Sequence, residues 1–332
     1  MIKRASKRYK RETHQENISL KPGLVIASHG ANVEVEDEKK HVHTCISRKK
    51  VGVAVCGDQV QWHSEANQTG LIHQIEPRKN LLARPDARNK LKPVAANIDY
   101  LAITLAPTPS AIKANETELD STIDLDKLFD FHAIDRYIVA AEVSNIQALI
   151  VINKIDLLPD HCVDELHQRL SRYTPLDYPY ILASTKKGTG LKELNDLLKD
   201  NNNVFVGQSG VGKSSIIKTF VTEEDIQVGT LSKVTGQGRH TTTATRLYHL
   251  KSGGSIIDSP GVREFGLWNI EPEKIMLAFR EFAPYLGYCK FNNCLHTTEP
   301  NCAIRDAIAN KEIDSQRYEA YKKILASLDE PR

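Results

Sequence analysis

Three short stretches of this sequence carry side chains spaced for chemistry. The first is Gly207-Gln208-Ser209-Gly210-Val211-Gly212-Lys213-Ser214-Ser215, which fits G-x-x-x-x-G-K-[ST] in full. Glycines at these places let backbone N–H groups wrap phosphate oxygens, and the following helix adds its positive N-terminal end. Lys213 is placed to reach the β- and γ-phosphates of a nucleotide, and Ser214 to bind Mg²⁺. The stretch follows the apolar run NVFV and opens SSIIKTFV, the strand and helix that the motif requires. The second is Asn153-Lys154-Ile155-Asp156, which closes the apolar run ALIVI. The Asp156 carboxylate suits the two N–H donors of guanine. Adenine has no such pair, so it would leave buried polar groups unpaired. The stem of Lys154 can cover the face of the base.

Two further pieces belong with these. The run PYILAS ends in Ser184-Thr185-Lys186, suited to a loop that backs the guanine. Asp258-Ser259-Pro260-Gly261 ends another apolar run; Asp258 there would hold Mg²⁺ through water, and Gly261 would offer its N–H to the γ-phosphate. Each short pattern alone also occurs as an ordinary strand-ending turn. As a set they predict a GTP/GDP site built from Asn153, Lys154, Asp156, Ser184, Gly207 through Ser215, Asp258 and Gly261.

The third stretch is Cys289-x4-Cys294-x-His296-x5-Cys302, three thiols and an imidazole within 14 residues. That donor set predicts one closed, tetrahedral, structural Zn²⁺ site; four protein ligands leave no open position for catalysis. The alternative is a set of unligated buried thiols. Cys45, Cys56 and Cys162 are scattered and read as ordinary packing residues. A tight cysteine cluster in a chain with no apolar segment after its N-terminal charges favours metal over a disulfide framework, and a cytoplasmic location.

The elements that must position these groups can be read from the texture of the chain. It has 332 residues, 40% hydrophobic and 26% charged, with a formal net charge of +2. This suits a soluble protein of two or three domains, with no run long enough to span a membrane. Residues 1–21 form a basic arm that is either solvated tail or a binder of phosphate backbone. Residues 22–85 contain five short strands: GLVIAS, VEVE, HVHTCIS, VAVCGDQVQWH and GLIHQIE. They suggest a small barrel of the oligonucleotide-binding (OB) type that contacts RNA, although an SH3-like barrel has similar spacing. Residues 97–268 alternate buried-type strands with helical patterns, which predicts a mostly parallel sheet covered on both faces. Residues 107–131, rich in Pro, Ser, Asn and acids, interrupt this as a loop or insertion. Residues 269–332 turn helical around the cysteine cluster.

The order of the nucleotide motifs is unusual, because the guanine reader precedes the phosphate loop. Read as a circle, the order is phosphate loop, switch, DxxG, NKxD, SxK. All five parts are present, so the circle is cut in a different place. The join runs through LKELNDLLKD and NNN into the phosphate-loop strand. With these motifs, GQGRHTTT (236–243), DSPGVREFGL (258–267) and the cysteine cluster, the sequence resembles the RsgA/YjeQ family. These are circularly permuted GTPases that act in maturation of the bacterial small ribosomal subunit. The resemblance implies an OB barrel, a permuted P-loop GTPase domain and a zinc-binding helical module. It implies the 30S subunit and its 16S rRNA as partners and as activator of hydrolysis, and zinc at the cysteine cluster. A monomer suits a factor that docks on a large particle.

Val262 occupies the place where many GTPases put a water-orienting Gln, so another group must act. His240, in the Gly-flanked segment with Arg239, is the candidate catalytic residue beside Lys213; contacting RNA is its other reading. Thr242 or Thr243 would complete the Mg²⁺ shell. Two other functions stay open from the residues alone. One is a nucleotide-gated rRNA-binding module with incidental turnover, and the other is a P-loop kinase or ATPase, against which NKID argues.

Overall fold

The computed structural model describes residues 19–29, 32–48, 50–65, 69–85, 90–107, 123–222, 245–258 and 270–328. The first five strands are β1 (Lys21–His29), β2 (Asn32–Glu36), β3 (Val42–Ser47), β4 (Gln59–Ser64) and β5 (Gly70–Ile75). They close in the order β1-β2-β3-β5-β4-β1, with β3 and β5 parallel and the other pairs antiparallel. Closure removes the free edges a small sheet would otherwise expose. The closed five-stranded barrel matches the OB expectation. Val25, Val33, Val35, Cys45, Val60, Trp62 and Ile72 fill its bore. Trp62 is large enough that small neighbours are required: a Cβ on Gly70 would lie 2.9 Å from the indole and 2.2 Å from Cys45 Sγ.

The second unit is a six-stranded sheet in the order β10-β9-β8-β11-β13-β12. Its strands are β8 (Tyr100–Leu105), β9 (Gln147–Ile152), β10 (Tyr180–Leu182), β11 (Asn202–Val206), β12 (Thr245–His249) and β13 (Ser255–Asp258). All neighbours are parallel except β12, which runs antiparallel to β13. Helices α2 (Phe131–Val143) and α3 (Asp160–Leu170) cover one face, where Ile134, Ile138, Leu166 and Leu170 meet Leu101, Ile103, Ile150 and Val204. Helices α4 (Leu191–Leu198) and α5 (Lys213–Phe220) cover the other, where Leu194, Leu198, Ile216 and Phe220 meet Ala102, Leu149, Val151 and Phe205. Strands buried on both faces explain the near-continuous apolar runs in the sequence.

Several elements differ from the sequence reading. The run VAVCGDQVQWH is a strand only from Gln59 onward. Gly57 turns the chain at φ +91°, and the buried Asp58 accepts the Val55 N–H at 2.7 Å, so residues 55–58 make a turn. A hairpin of β6 (Leu81–Pro85) and β7 (Leu91–Ala96) stands between the barrel and the second sheet, where no element was expected. Strand β12 was also unexpected. Within the stretch read as loop, residues 125–131 are ordered: α1 (Leu125–Leu128) is capped by Asp124, α2 begins at Phe131, and Leu125, Leu128 and Phe129 are buried. Three apolar side chains in a polar stretch were the overlooked signal.

The permutation join is a short, densely bonded segment. Helix α4 ends at Leu198 and β11 begins at Asn202. Asn201 Nδ2 donates to Leu197 O and Lys199 O, and Asn203 Nδ2 donates to Leu198 O, Asn201 O and Ser255 O. Asn202 donates to Asn97 O through Nδ2 and accepts from Ser255 Oγ at 2.7 Å. The three asparagines satisfy backbone groups that a three-residue turn would leave unpaired.

The last unit is built from α6 (Pro272–Leu277), a 3₁₀ turn (Arg280–Tyr285), the cysteine segment, α7 (Ala303–Ala309) and α8 (Ser315–Ala326). At its centre Tyr321 packs edge to face on Phe279 at 5.3 Å and on Phe282 at 5.1 Å, while the two Phe rings stack at 5.2 Å. Arg317 on α8, only 1% exposed, joins this unit to the second. Its guanidinium donates to Asp135 of α2 at 2.5 Å and to Glu281 at 2.7 Å, and lies over the rings of Tyr173 and Phe279.

Candidate nucleotide site and cysteine centre

Strands β9, β10 and β11 are parallel, so the segments following them emerge at one edge of the sheet. In open α/β sheets that carboxyl edge is where ligands bind. The phosphate-loop stretch turns sharply: Gly207, Gly210 and Gly212 take φ of +134°, +85° and +97°. A Cβ at Gly207 would lie 2.1 Å from Thr104 O, and one at Gly212 would lie 2.3 Å from Asn153 Nδ2. Glycine is therefore required at both places, by conformation and by space. Lys213 Nζ lies back on its own loop, donating to Gly207 O at 2.6 Å and Gln208 O at 2.7 Å. Ser214 and Ser215 are exposed in the first turn of α5.

The structure brings the 153–156 segment against this loop. Asn153, fully buried, donates through Nδ2 to Val211 O at 2.9 Å, while its Oδ1 is buried without a partner. Lys154, held at φ +61°, donates through Nζ to Gly210 O at 2.6 Å. Asp156 Oδ1 accepts from Ser184 Oγ at 2.6 Å, and Ser184 Oγ in turn accepts the Lys187 N–H at 3.0 Å. The Ser184 loop closes tightly, with Gly188 N donating to Ser184 O and Ser184 N to Thr189 O. Asn153, expected only as a member of the GTP site, braces the phosphate loop through Val211 O, a contact no local pattern signals. Asp258 ends β13, beside β11 in the sheet. Gly261, Val262, Arg239, His240, Thr242, Thr243 and residues 1–18 of the arm lie outside the described residues.

In the last unit the four ligating atoms of Cys289, Cys294, His296 and Cys302 all lie within 4.8 Å of one another. Cys289 Sγ is 3.9 Å from Cys302 Sγ and 3.5 Å from His296 Nδ1, and His296 Nδ1 is 3.3 Å from Cys302 Sγ. A tetrahedral ion with metal–sulfur bonds near 2.3 Å places its sulfurs about 3.8 Å apart, and sulfur and nitrogen about 3.5 Å apart. The separations among Cys289, His296 and Cys302 match those of a tetrahedral cation's ligands, and Cys294 lies close enough to complete the set. Burial holds His296 below its ordinary pKa, hence neutral with a lone pair to give. Burial also raises the Cys294 and Cys302 thiols, so they need a cation to become thiolates. Around them Glu299 accepts from the backbone N–H groups of Leu295, Thr297 and Thr298. Burial alone would raise its carboxyl, but these bonds prevail and hold it at about 2.

A permuted set of guanine-nucleotide motifs on one edge of a parallel sheet, flanked by a closed barrel and a cysteine-rich helical unit, defines a circularly permuted P-loop GTPase. Comparison with known proteins narrows the class. Residues 75–268 match the model of the RsgA GTPase family. The small ribosomal subunit biogenesis GTPase RsgA 1 of Vibrio vulnificus is 44% identical over 313 residues, covering 93% of this chain and 84% of that protein. The small ribosomal subunit biogenesis GTPase RsgA of Actinobacillus pleuropneumoniae serotype 5b is 40% identical over 317 residues, covering 94% and 87%. Among solved structures, YjeQ from Thermotoga maritima superposes with a TM-score of 0.71 at 29% identity, covering 95% of this chain and 100% of that one. YloQ, a circularly permuted GTPase, gives 0.68 at 25% identity, covering 97% and 99%. The chain belongs to the RsgA GTPase family.

Proposed function

We propose that the chain hydrolyses GTP to GDP and phosphate while bound to the small ribosomal subunit, late in its maturation, and that hydrolysis promotes its release. The convergence of three segments carries this reading: residues 153–156, 184–187 and 207–215, far apart in sequence, are tied together by Asn153, Lys154 and Ser184. In this reading the backbone N–H groups of 207–215 hold the phosphates, and Lys213 leaves its two carbonyl partners to neutralise the β- and γ-phosphates. Asp156 reads the guanine edge while Ser184 fixes its carboxylate, and the stem of Lys154 covers the base. Ser214, Asp258 and Thr242 or Thr243 would hold Mg²⁺, which supplies charge neutralisation between the phosphates. Zn²⁺ at Cys289, Cys294, His296 and Cys302 would be structural. The working division is an arm (1–21), an rRNA-binding barrel (22–85), a GTPase domain (97–268) and a zinc module (269–332), in a cytoplasmic monomer.

Intrinsic turnover is expected to be slow, because positioning supplies nearly all the rate of phosphoryl transfer. His240 is the group proposed to position water when the subunit is bound. The first test measures phosphate release from GTP and ATP, with and without purified small subunits. GTP-specific turnover that rises many-fold with the subunit supports the reading; ATP turnover or no stimulation rejects it. His240→Ala should bind GTP normally yet lose the stimulation.

A further inference from the structure

The described aromatic side chains are buried or half-buried, with two exceptions. Tyr288 is 78% exposed and Phe291 is 41% exposed. The two are three residues apart and flank the ligand Cys289, at the tip of the cysteine segment. An aromatic side chain removes roughly 150–250 Å² from water when buried, so two rings left exposed side by side in sequence on one segment suit an external partner.

The tip is fixed rather than loose. Cys289 and Cys294 belong to the ligand cluster, Lys290 N donates to Asn301 O at 3.1 Å, and Cys294 N donates to Phe291 O at 3.3 Å. The rings are therefore held out by the same segment that would hold the metal. The chemistry around them is one-sided. Lys290, Asn292 and Asn293 are also exposed, and Lys290 Nζ lies 5.6 Å from the centre of the Phe291 ring. No acidic residue occurs from Leu286 to Thr298. The next carboxylate, Glu299, is engaged by three backbone N–H groups and is turned into the segment.

Two exposed rings, an ammonium and two amides, on a stretch of sequence without a carboxylate, suit unpaired nucleotides. Rings stack on bases of any sequence, the cation meets phosphate, and amides reach base edges. A protein or lipid surface would need a wider apolar patch than two rings supply. We propose that Tyr288 and Phe291 form a stacking platform for unpaired bases of RNA, with Lys290 contacting the backbone between them. This rests on the small-subunit reading for the source of the RNA, and specifies single-stranded rather than duplex RNA as the ligand at this tip.

The test uses the full-length, zinc-loaded chain and a fluorescein-labelled, unstructured single-stranded RNA of ~12 nucleotides, with a duplex of equal length beside it. Binding is read by anisotropy, and small-subunit binding and stimulated GTP turnover are measured in parallel. Tyr288→Ala and Phe291→Ala should each weaken single-strand binding about tenfold, with duplex binding little changed. Tyr288→Phe should retain affinity and Tyr288→Leu should not. Zinc content and circular dichroism of every variant should match the parent. Binding of the double alanine variant within twofold of the parent overturns the platform, as does equal loss on single strand and duplex, which would indicate charge alone. Loss of subunit binding with unchanged RNA binding assigns the tip to a ribosomal protein and also overturns it. A parent chain stimulated by subunits that fails to bind the single strand overturns the platform alone. A parent chain without stimulation overturns the functional reading instead.

Discussion

Arg317 offers a decisive test of how the C-terminal unit is held to the GTPase domain. Its guanidinium is 1% exposed and serves two carboxylates, Asp135 at 2.5 Å and Glu281 at 2.7 Å. Asp135 also accepts from the buried Tyr173 hydroxyl at 2.9 Å. Burial opposes the charge on Arg317, but the two carboxylates outweigh it and raise its pKa, so it is charged at every accessible pH. Arg317→Met keeps most of the volume and removes the charge. It leaves two carboxylates without a cation in a low-dielectric contact, which costs about 3–5 kcal/mol. A domain has only about 5–15 kcal/mol in total. With a urea dependence of about 2 kcal/mol per M, the midpoint for the C-terminal unit should fall by about 2 M. Circular dichroism in urea reads the shift, and limited proteolysis reads earlier release of the unit after residue 270. Asp135→Asn in the Arg317→Met background should recover part of the loss, since it removes one orphaned charge. A midpoint change below about 0.5 M, the cost of an exposed ion pair, would refute the view that this contact clamps the two units together.

Three further outcomes follow from the nucleotide site and the barrel contact. Asp156→Asn should weaken GTP binding about 100-fold while favouring xanthosine triphosphate, whose exocyclic oxygen accepts from the new amide; competition titration reads both, and unchanged selectivity would remove Asp156 from the base. Gly212→Ala forces a Cβ to 2.3 Å from Asn153 Nδ2 at φ +97°. It should weaken nucleotide binding at least about tenfold by strain alone, as read with a fluorescent GTP analogue; parental affinity would show that the loop needs no such close approach. Glu36 joins the barrel to His249 of β12 at 2.9 Å and to Lys40 at 2.8 Å. Burial alone would raise its carboxyl, yet these partners hold it below 4.5. Its contribution is therefore full above pH 4.5 and lost as pH falls through the lower folded value. Thermal midpoints of the parent should drop more steeply below pH 4.5 than those of Glu36→Gln, and parallel curves would rule out the linkage.

How much of this was legible in the sequence depends on whether the signal was local. The phosphate loop, NKID and the cysteine segment are local patterns, and the structure brings each set together. The barrel was legible because period-2 alternation survives in β2, where Val33 and Val35 point inward. Contacts made at long range were not legible. Nothing near Arg317 marks it as a buried clamp, because its partners Asp135 and Glu281 are 182 and 36 residues away. The β6–β7 hairpin was missed because Pro93 and the charged Arg84 and Lys92 mask a strand pattern that pairing and the burial of Leu82 and Val94 sustain. Asn153 was placed in the GTP site by its motif alone; only the fold shows its amide committed to Val211 O.

The cut in the circle has a structural consequence. The GTPase domain is entered at β8 and the described sheet is left at β13, the two neighbours of β11, whose end carries the phosphate loop. An unpermuted chain would start at β11 itself and end at α4. Here β13 leads toward the cysteine unit, and its partner β12 pairs with the barrel through Ala27↔Arg246 and Ser28↔Thr245. Arg246 and His249 of β12 also reach Glu34 and Glu36 of the barrel. The barrel is thus paired with the strand beside the DSPG strand, while the C-terminal unit follows that strand in the chain and is clamped to α2 through Arg317. A change at the γ-phosphate that moves β12 must move, or strain, the barrel paired with it. Strengthening the β12 contact should therefore narrow the difference between GTP- and GDP-bound affinities for the small subunit, since coupling exists only where the two states differ in free energy.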